Sequence, residues 1–318
     1  MRILSPIDNP AEAGALIDAG ADELYGGYVS RKWLRRYSML GSINQRYFIS
    51  AQIVSESGLE KIIRTAHRRG VRFYLTLNAP YYLESQYPDI MEEVRRAQGM
   101  GVDGYIVTDI GLILRLKREF PGAEVHLSTL GAVFNSRAAG FFSRLGVSRM
   151  VLPRELTIGE MSAIVKANPA SAFDAFIMIG KCPNIEGFCG FTHGSPSLIW
   201  PCEEPYRMEA AQGGGRAADI INAQMGWSRV NRRQACGLCA VSRLDRAGVT
   251  ALKLVGRGGP TAMKVKVASA VRRMLDLSEQ GVGDDELHMK ATGLYREIFG
   301  AACNPYICYF PEVWRRPA

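Results

Sequence analysis

Several things are missing from this 318-residue chain, and each absence removes a class of function. No window of eighteen or more uninterrupted apolar residues exists, which excludes a conventional membrane-crossing helix. The start, "MRILSPIDNP", places Pro and Asp where a secretory leader needs its apolar run, so the expected location is the cytoplasm, with no membrane insertion. Low-complexity tracts are absent. Histidine is scarce, with only His67, His126, His193 and His288, and no GxSxG elbow precedes a helix, so a serine hydrolase has little to build on. HExxH is also absent, which removes the common zinc protease arrangement.

Cysteine is present in an odd number, seven. That does not suit a disulfide framework, and in a reducing compartment clustered thiols point to metal binding or catalysis. The densest region is "GKCPNIEGFCGFTHG" (180–194), which holds Cys182, Cys189, His193 and four glycines. Cys202, Cys236 and Cys239 follow, while Cys303 and Cys308 in "ACNPYICYF" are expected to pack in the C-terminal segment. Only Cys236 and Cys239 form a CxxC knuckle, so a zinc ribbon with paired knuckles is not expected. Irregular spacing with nearby glycines suits an iron–sulfur cluster, because four thiolates must surround a cuboid and backbone N–H groups approach its sulfides. With the best-placed thiols expected on metal, a cysteine peptidase lacks a free nucleophile.

The formal charge of +8 admits a nucleic-acid partner. However, "RKWLRR" (31–36), "HRRGVR" (67–72) and "RVNRRQ" (229–234) are scattered and interrupted by acidic helices, as on solvated surfaces.

Short apolar runs alternate with amphipathic stretches, the pattern of parallel strands joined by crossover helices. Eight runs are expected as strands: residues 2–6, 22–27, 72–78, 104–109, 124–129, 149–153, 173–180 and 251–257. The spacing predicts an α/β fold, a TIM-barrel-like (β/α)8 single domain over residues 1–318, with a doubly wound open sheet as the second choice. About 70 residues separate the last two runs where one crossover helix needs about 20. This cysteine-rich, cluster-binding insertion spans 181–248, and its "AAQGGGRAAD" (210–219) reads as a surface loop. Barrel enzymes gather catalytic groups at strand C-terminal ends. There the sequence places Asp8 and Asn9, Tyr25, Asn78, Asp109, His126 with Ser128, and Arg154 with Glu155. "KLVGRGGP" (253–260) adds Lys253 and Arg257 beside a glycine-lined helix start, a natural anion pocket.

The succession "VLPREL" (151–156), "IEGFC" (185–189), the separate Cys202 and Cys236, and "VTALKLVGR" (249–257) before a long basic helix resembles the peptidase U32 (collagenase-like) family. The resemblance covers nearly the whole chain and is strongest over about 124–280. In length the chain is similar to a short UbiU/UbiV-like subgroup of ubiquinone-pathway proteins that work as a pair in oxygen-independent hydroxylation. Longer relatives hydroxylate tRNA or ribosomal RNA. The resemblance implies a 4Fe–4S cluster held by Cys182, Cys189, Cys202 and Cys236, leaving Cys239 over. It also implies prephenate as oxygen donor, and marks Asn78, His126, Ser128, Pro153 and Arg154 as recurring positions. Val255 stands where family members carry Glu, which leaves an acidic role there unfilled. The expected activity is therefore hydroxylation of a small aromatic or quinone-precursor substrate, with Arg154, His126 and Asn78 as catalytic candidates and Lys253 and Arg257 binding the anionic substrate. RNA hydroxylation, a non-catalytic cluster-binding subunit in a heterodimer with a homologue, and a peptidase are the alternatives.

Overall fold

The computed structural model describes residues 1–37, 43–46, 48–182, 185–188, 214–228 and 232–315. Eight strands close on themselves: β1 (Arg2–Pro6), β2 (Glu23–Gly26), β3 (Arg72–Leu77), β4 (Gly104–Val107), β5 (Glu124–Leu127), β6 (Arg149–Val151), β7 (Ala172–Met178) and β8 (Ala251–Leu254). Every neighbouring pair is parallel, and β1 pairs with β8 through Arg2↔Ala251 and Leu4↔Lys253. The open sheet is thus excluded.

Helices return the chain between strands. They are α1 (Ala13–Asp18), α2 (Arg31–Tyr37), α3 (Glu56–His67), α4 (Tyr87–Gly99), α5 (Ile110–Glu119), α6 (Ser136–Arg144) and α7 (Ile158–Ala167). Beyond β7 come α8 (Gly215–Ser228), α9 (Val241–Arg246), α10 (Thr261–Glu279) and α11 (Asp284–Phe299). Several starts follow directly from sequence. Ser55, Asp109, Asn135 and Thr157 each accept a backbone N–H of the following turn, which satisfies donors that a helix start leaves open. The helix at Gly215 also corrects the expectation of a loop through 219: its residues Arg216, Ala217 and Ala218 are good helix formers once the glycines end. No helix among the described residues is long and apolar enough to cross a membrane.

Strand alternation sends one side chain of each pair outward to the helices and the other into the barrel. The outward set builds the main core, with Ile3, Leu24, Phe73, Leu75, Tyr105, Val125 and Phe173. Leu4, Tyr25, Tyr74 and Ile106 form a separate cluster. Beside it runs a buried polar network, in which Arg149 donates to Glu23 (2.7 and 3.0 Å) and to Asp174 (2.6 Å). Pairing offsets the desolvation of these charges, and the two carboxylates leave the guanidinium firmly protonated.

Candidate functional site at the C-terminal mouth of the barrel

The loops after β1, β2 and β8 and the end of β3 meet around Arg257. Its guanidinium donates to the carbonyl oxygen of Ala51 (2.7 Å), to Asn44 Oδ1 (2.9 Å) and to Thr76 Oγ1 (3.1 Å), and its Nε lies 3.7 Å from Asp8. A Cβ at Gly27 would stand 2.1 Å from Arg257 Nη2, so glycine there lets the guanidinium reach these partners. Asp8 in turn accepts from Lys264 Nζ and from the Gly258 backbone N–H, both at 2.6 Å, and Glu12 accepts from Lys264 at 2.8 Å. Arg257, expected to hold a substrate anion, therefore has its donors engaged by protein oxygens. Burial lowers its pKa to about 10.

Lys253 behaves differently. Its side chain is buried and its Nζ has no hydrogen-bond partner among the described residues; it lies 3.6 Å from the centroid of the Tyr25 ring. The Tyr25 hydroxyl is occupied, donating to the Leu254 carbonyl at 2.7 Å. Burial is the largest cause that brings the Lys253 pKa down to about 7, and the neighbouring guanidinium groups of Arg149 and Arg257 act the same way. A neutral amine at this position can accept a proton or attack a carbonyl, which an ordinary surface lysine cannot do near neutrality.

On the opposite side of the mouth, Arg154 stacks over Phe176, with its guanidinium carbon 3.5 Å from the ring centroid, and pairs with Glu186. Glu186 also accepts from the Arg154 backbone N–H (3.0 Å) and Thr129 Oγ1 (2.9 Å), while Glu155 accepts the Glu186 N–H (3.1 Å). The partner of Arg154 is thus Glu186, from the loop after β7. Its sequence neighbour Glu155 has its carboxyl pKa raised, chiefly by burial. Asn78 donates to Ser128 Oγ and accepts the Gln45 N–H, each at 3.2 Å, so those two expected residues do meet. Asp109 and Asn9 cap the helical turns that follow them.

His126 is fully buried, bonded through Nε2 to Glu124 at 2.6 Å and packed 4.3 Å from the Tyr74 ring. Desolvation lowers its pKa, and its partner lies at the start of β5, away from the mouth. His126 thus lies inside the barrel, with Nε2 held by Glu124 and Nδ1 buried without a hydrogen-bond partner among the described residues. The other end of the barrel holds a cavity of about 490 Å³ lined by Arg2, Arg69, Arg72 and Arg272. Glu23, Asp18, Glu124 and Asp22 respectively pair these arginines, so it offers an anion little free positive charge.

Of the expected cluster ligands, Cys189 and Cys202 lie outside the described residues, as does the nearby His193. Cys182 and Cys236 are within them. Cys236 is buried on an extended segment that bridges both Met178 and Cys308, and the Leu238 N–H donates to its sulfur at 3.4 Å. A backbone donor on a sulfur suits a thiolate ligand. With Cys239, Cys303 and Cys308, Cys236 lines one small cavity. Sequence reading assigned Cys303 and Cys308 to packing, and only the fold brings them beside the knuckle. As thiols all four are held protonated by burial, to about 12 for Cys239 and about 11 for Cys308.

A closed (β/α)8 barrel with polar groups gathered at the strand ends defines an enzyme-like scaffold. The model of peptidase family U32 matches residues 8–310, and the chain belongs to that family. Among curated proteins it is similar to "tRNA hydroxylation protein P" of Haemophilus influenzae, 26% identical over 225 residues, covering 70% of this chain and 45% of that protein. It is also similar to the 23S rRNA 5-hydroxycytidine synthase of Escherichia coli, 26% identical over 67% of this chain and 31% of that protein. A collagenase of Porphyromonas gingivalis is 28% identical over 51% of this chain and 35% of its own length. The chain thus spans about half the length, or less, of these relatives. Among solved structures, the U32 peptidase Mk0906 aligns with a TM-score of 0.45 at 18% identity, over 56% of this chain and 69% of that one.

Proposed function

We propose that this chain takes part in hydroxylating a base of tRNA or ribosomal RNA at the C-terminal mouth of its barrel. RNA here replaces the small aromatic substrate expected from sequence, because relatives that overlap 70% and 67% of this chain are named for tRNA and rRNA hydroxylation. The observation on this chain that carries the reading is an exposed apolar rim on the loops after β2, β3 and β7. Tyr81 is 65% exposed, Phe188 68%, Leu83 60% and Ile49 53%. Sequence-specific RNA recognition splays single-stranded bases onto such aromatic faces, which stack on any base. The net charge of +8 supplies the accompanying attraction to phosphate.

Behind the rim, Asn78 with Ser128 and Arg154 with Glu186 offer neutral and charged hydrogen-bonding edges to a flipped base. The amine of Lys253 lies deeper in the barrel as a proton acceptor. Prephenate as oxygen donor and an iron–sulfur cluster as cofactor stay in the proposal on the strength of the family resemblance. An iron–sulfur group, when bound, supplies electron transfer or Lewis acidity. The peptidase alternative finds less support, because the sequence has neither a GxSxG elbow nor an HExxH pair.

Fluorescence anisotropy with single-stranded tRNA-loop RNA tests the reading. Binding should weaken steeply as salt rises, and Tyr81→Ala or Phe188→Ala should each weaken it about tenfold, as loss of one stacked base does. Equal binding by wild type and both variants would contradict it.

A further inference from the structure

We infer that Lys253 is a covalent capture residue, whose amine forms an imine with a small 2-oxo acid held at its carboxylate by Arg154. Capture rests on the same mouth site as the hydroxylation reading and gives it a carbonyl co-substrate. It needs no RNA, so the two can fail separately.

Three buried polar atoms carry it. Lys253 Nζ, Asp174 Oδ2 and Arg154 Nε each lack a hydrogen-bond partner among the described residues, and one ring brings the three side chains together. Phe176 and Lys253 stand side by side in the β7–β8 register, so both side chains leave the sheet on the same face. Asp174 lies two residues before Phe176 on β7 and shares that face. Arg154, which follows β6, stacks its guanidinium carbon 3.5 Å from the Phe176 ring centroid. The order along the barrel is therefore carboxylate, amine, guanidinium, with the guanidinium nearest the C-terminal mouth.

The two outer members are anchored by their other edges. Asp174 Oδ1 accepts from Arg149 at 2.6 Å, and Arg154 Nη1 pairs with Glu186. Each is thus fixed in place with one polar atom unused. A packing role does not explain the trio, because leaving a buried polar atom without a partner costs about 1–3 kcal/mol. Stability given up at several neighbouring positions is the pattern of a site kept for its chemistry.

The amine decides the reaction and the guanidinium decides the ligand. Lys253 rests against the Tyr25 ring and keeps a lone pair near neutrality, since burial and the charges of Arg149 and Arg257 hold its pKa at about 7. A desolvated lysine beside other cations is the form that adds to carbonyl carbon. The unused Nε of Arg154 suits a carboxylate oxygen, and because both groups border one ring, carboxylate and carbonyl must be neighbours on a small molecule. That pairing defines a 2-oxo acid. The Nζ lone pair forms a C–N bond at the 2-oxo carbon while the carbonyl electrons move to oxygen, which takes a proton to give a carbinolamine. Asp174 Oδ2 is placed to accept the proton leaving nitrogen and to return it to the departing hydroxyl, so water leaves and an iminium remains near the Asp174 carboxylate. Hydrolysis reverses the sequence, and no oxidant or reductant is consumed.

The test treats the intact chain with pyruvate and sodium cyanoborohydride and maps the products by peptide mass spectrometry. Reduction of the iminium leaves a carboxyethyl group on the lysine that formed it. At pH 7 Lys253 should be labelled at least about tenfold faster than the exposed Lys61 or Lys290, whose amines are almost entirely protonated there. Labelling of Lys253 should rise through about pH 7 and then level off, while that of the exposed lysines climbs toward about pH 10. Acetone, which has the carbonyl and no carboxylate, should label Lys253 about tenfold more slowly than pyruvate, and Arg154→Gln with unchanged far-ultraviolet circular dichroism should bring pyruvate down to the acetone rate. Labelling of Lys253 no faster than Lys61, or equal rates with pyruvate and acetone, would overturn the inference, as would an Arg154→Gln variant that reacts with pyruvate like wild type.

Discussion

Replacing Lys253 by methionine should stabilise the protein, and by an amount that depends on pH. The Lys253 amine is buried against Tyr25 without a hydrogen-bond partner among the described residues, and its pKa falls from 10.5 in the unfolded chain to about 7 in the fold. Between those values the unfolded chain binds a proton that the folded one does not, so stability rises with pH through the window. Below about pH 7 both states are protonated and the whole penalty of burying the ammonium is present; above about 10.5 it is gone. A shift of this size corresponds to about 5 kcal/mol. Methionine keeps the length and apolar stem, and such volume-conserving changes cost under about 1.5 kcal/mol. The variant should therefore melt higher at pH 7, by several degrees given about 2 °C per kcal/mol for a chain of this length. The gap should close as pH approaches 10. Thermal unfolding followed by circular dichroism across that range measures it. A variant that melts lower than wild type at pH 7, or a difference independent of pH, would show that Lys253 is charged and paired in the fold, and the argument for a neutral amine would fail.

Three further outcomes follow from the fold. Arg149→Ala takes the guanidinium from buried Asp174 and leaves buried Glu23 with Arg2 as its cation, and should cost about 3–5 kcal/mol in urea unfolding at pH 7. The loss should shrink toward acid pH as Glu23, whose pKa Arg149 holds down, protonates, and a cost under about 1 kcal/mol at pH 7 would refute the pairing. Gly104→Ala places a Cβ 2.6 Å from the Glu124 carbonyl oxygen on the neighbouring strand, a backbone obstacle worth about 1–3 kcal/mol of overpacking; an unchanged melting temperature would contradict it. Thr157→Ala removes the reciprocal cap with Glu160. It should lower stability by about 1 kcal/mol and raise the Glu160 pKa, which carbon-detected titration reads directly.

The barrel was readable because its strands are buried on both faces and so appear as short apolar runs. Expected runs such as 72–78 and 124–129 overshoot the observed ends at Leu77 and Leu127, since Asn78 and Ser128 continue the chain direction into the mouth while leaving the ladder. The site was less legible. Asn78 and Ser128 follow β3 and β5, so their contact spans the end of the intervening β4. The capture of Arg257 by Ala51 and Asn44, and the use of Glu186 to hold Arg154, depend on loops folding back across the mouth, which no local pattern encodes. That Cys303 and Cys308, which pack as expected, line one cavity with Cys236 and Cys239 was hidden for the same reason. A CxxC knuckle is visible in sequence, but its opposite pair lies more than sixty residues further on and is brought there by α10 and α11 packing against the barrel. Spacings within the pair, four residues between Cys303 and Cys308, were the one signal available.

The central claim, hydroxylation of an RNA base, is tested most directly by mass spectrometry of nucleosides from total tRNA and ribosomal RNA. Cells lacking the gene are compared with the same cells carrying the intact gene or its Lys253→Met variant. The account predicts that one nucleoside carrying an added oxygen disappears on deletion, returns with the wild type, and stays absent or sharply reduced with the variant. Identical nucleoside profiles in the deleted and complemented cells would contradict it.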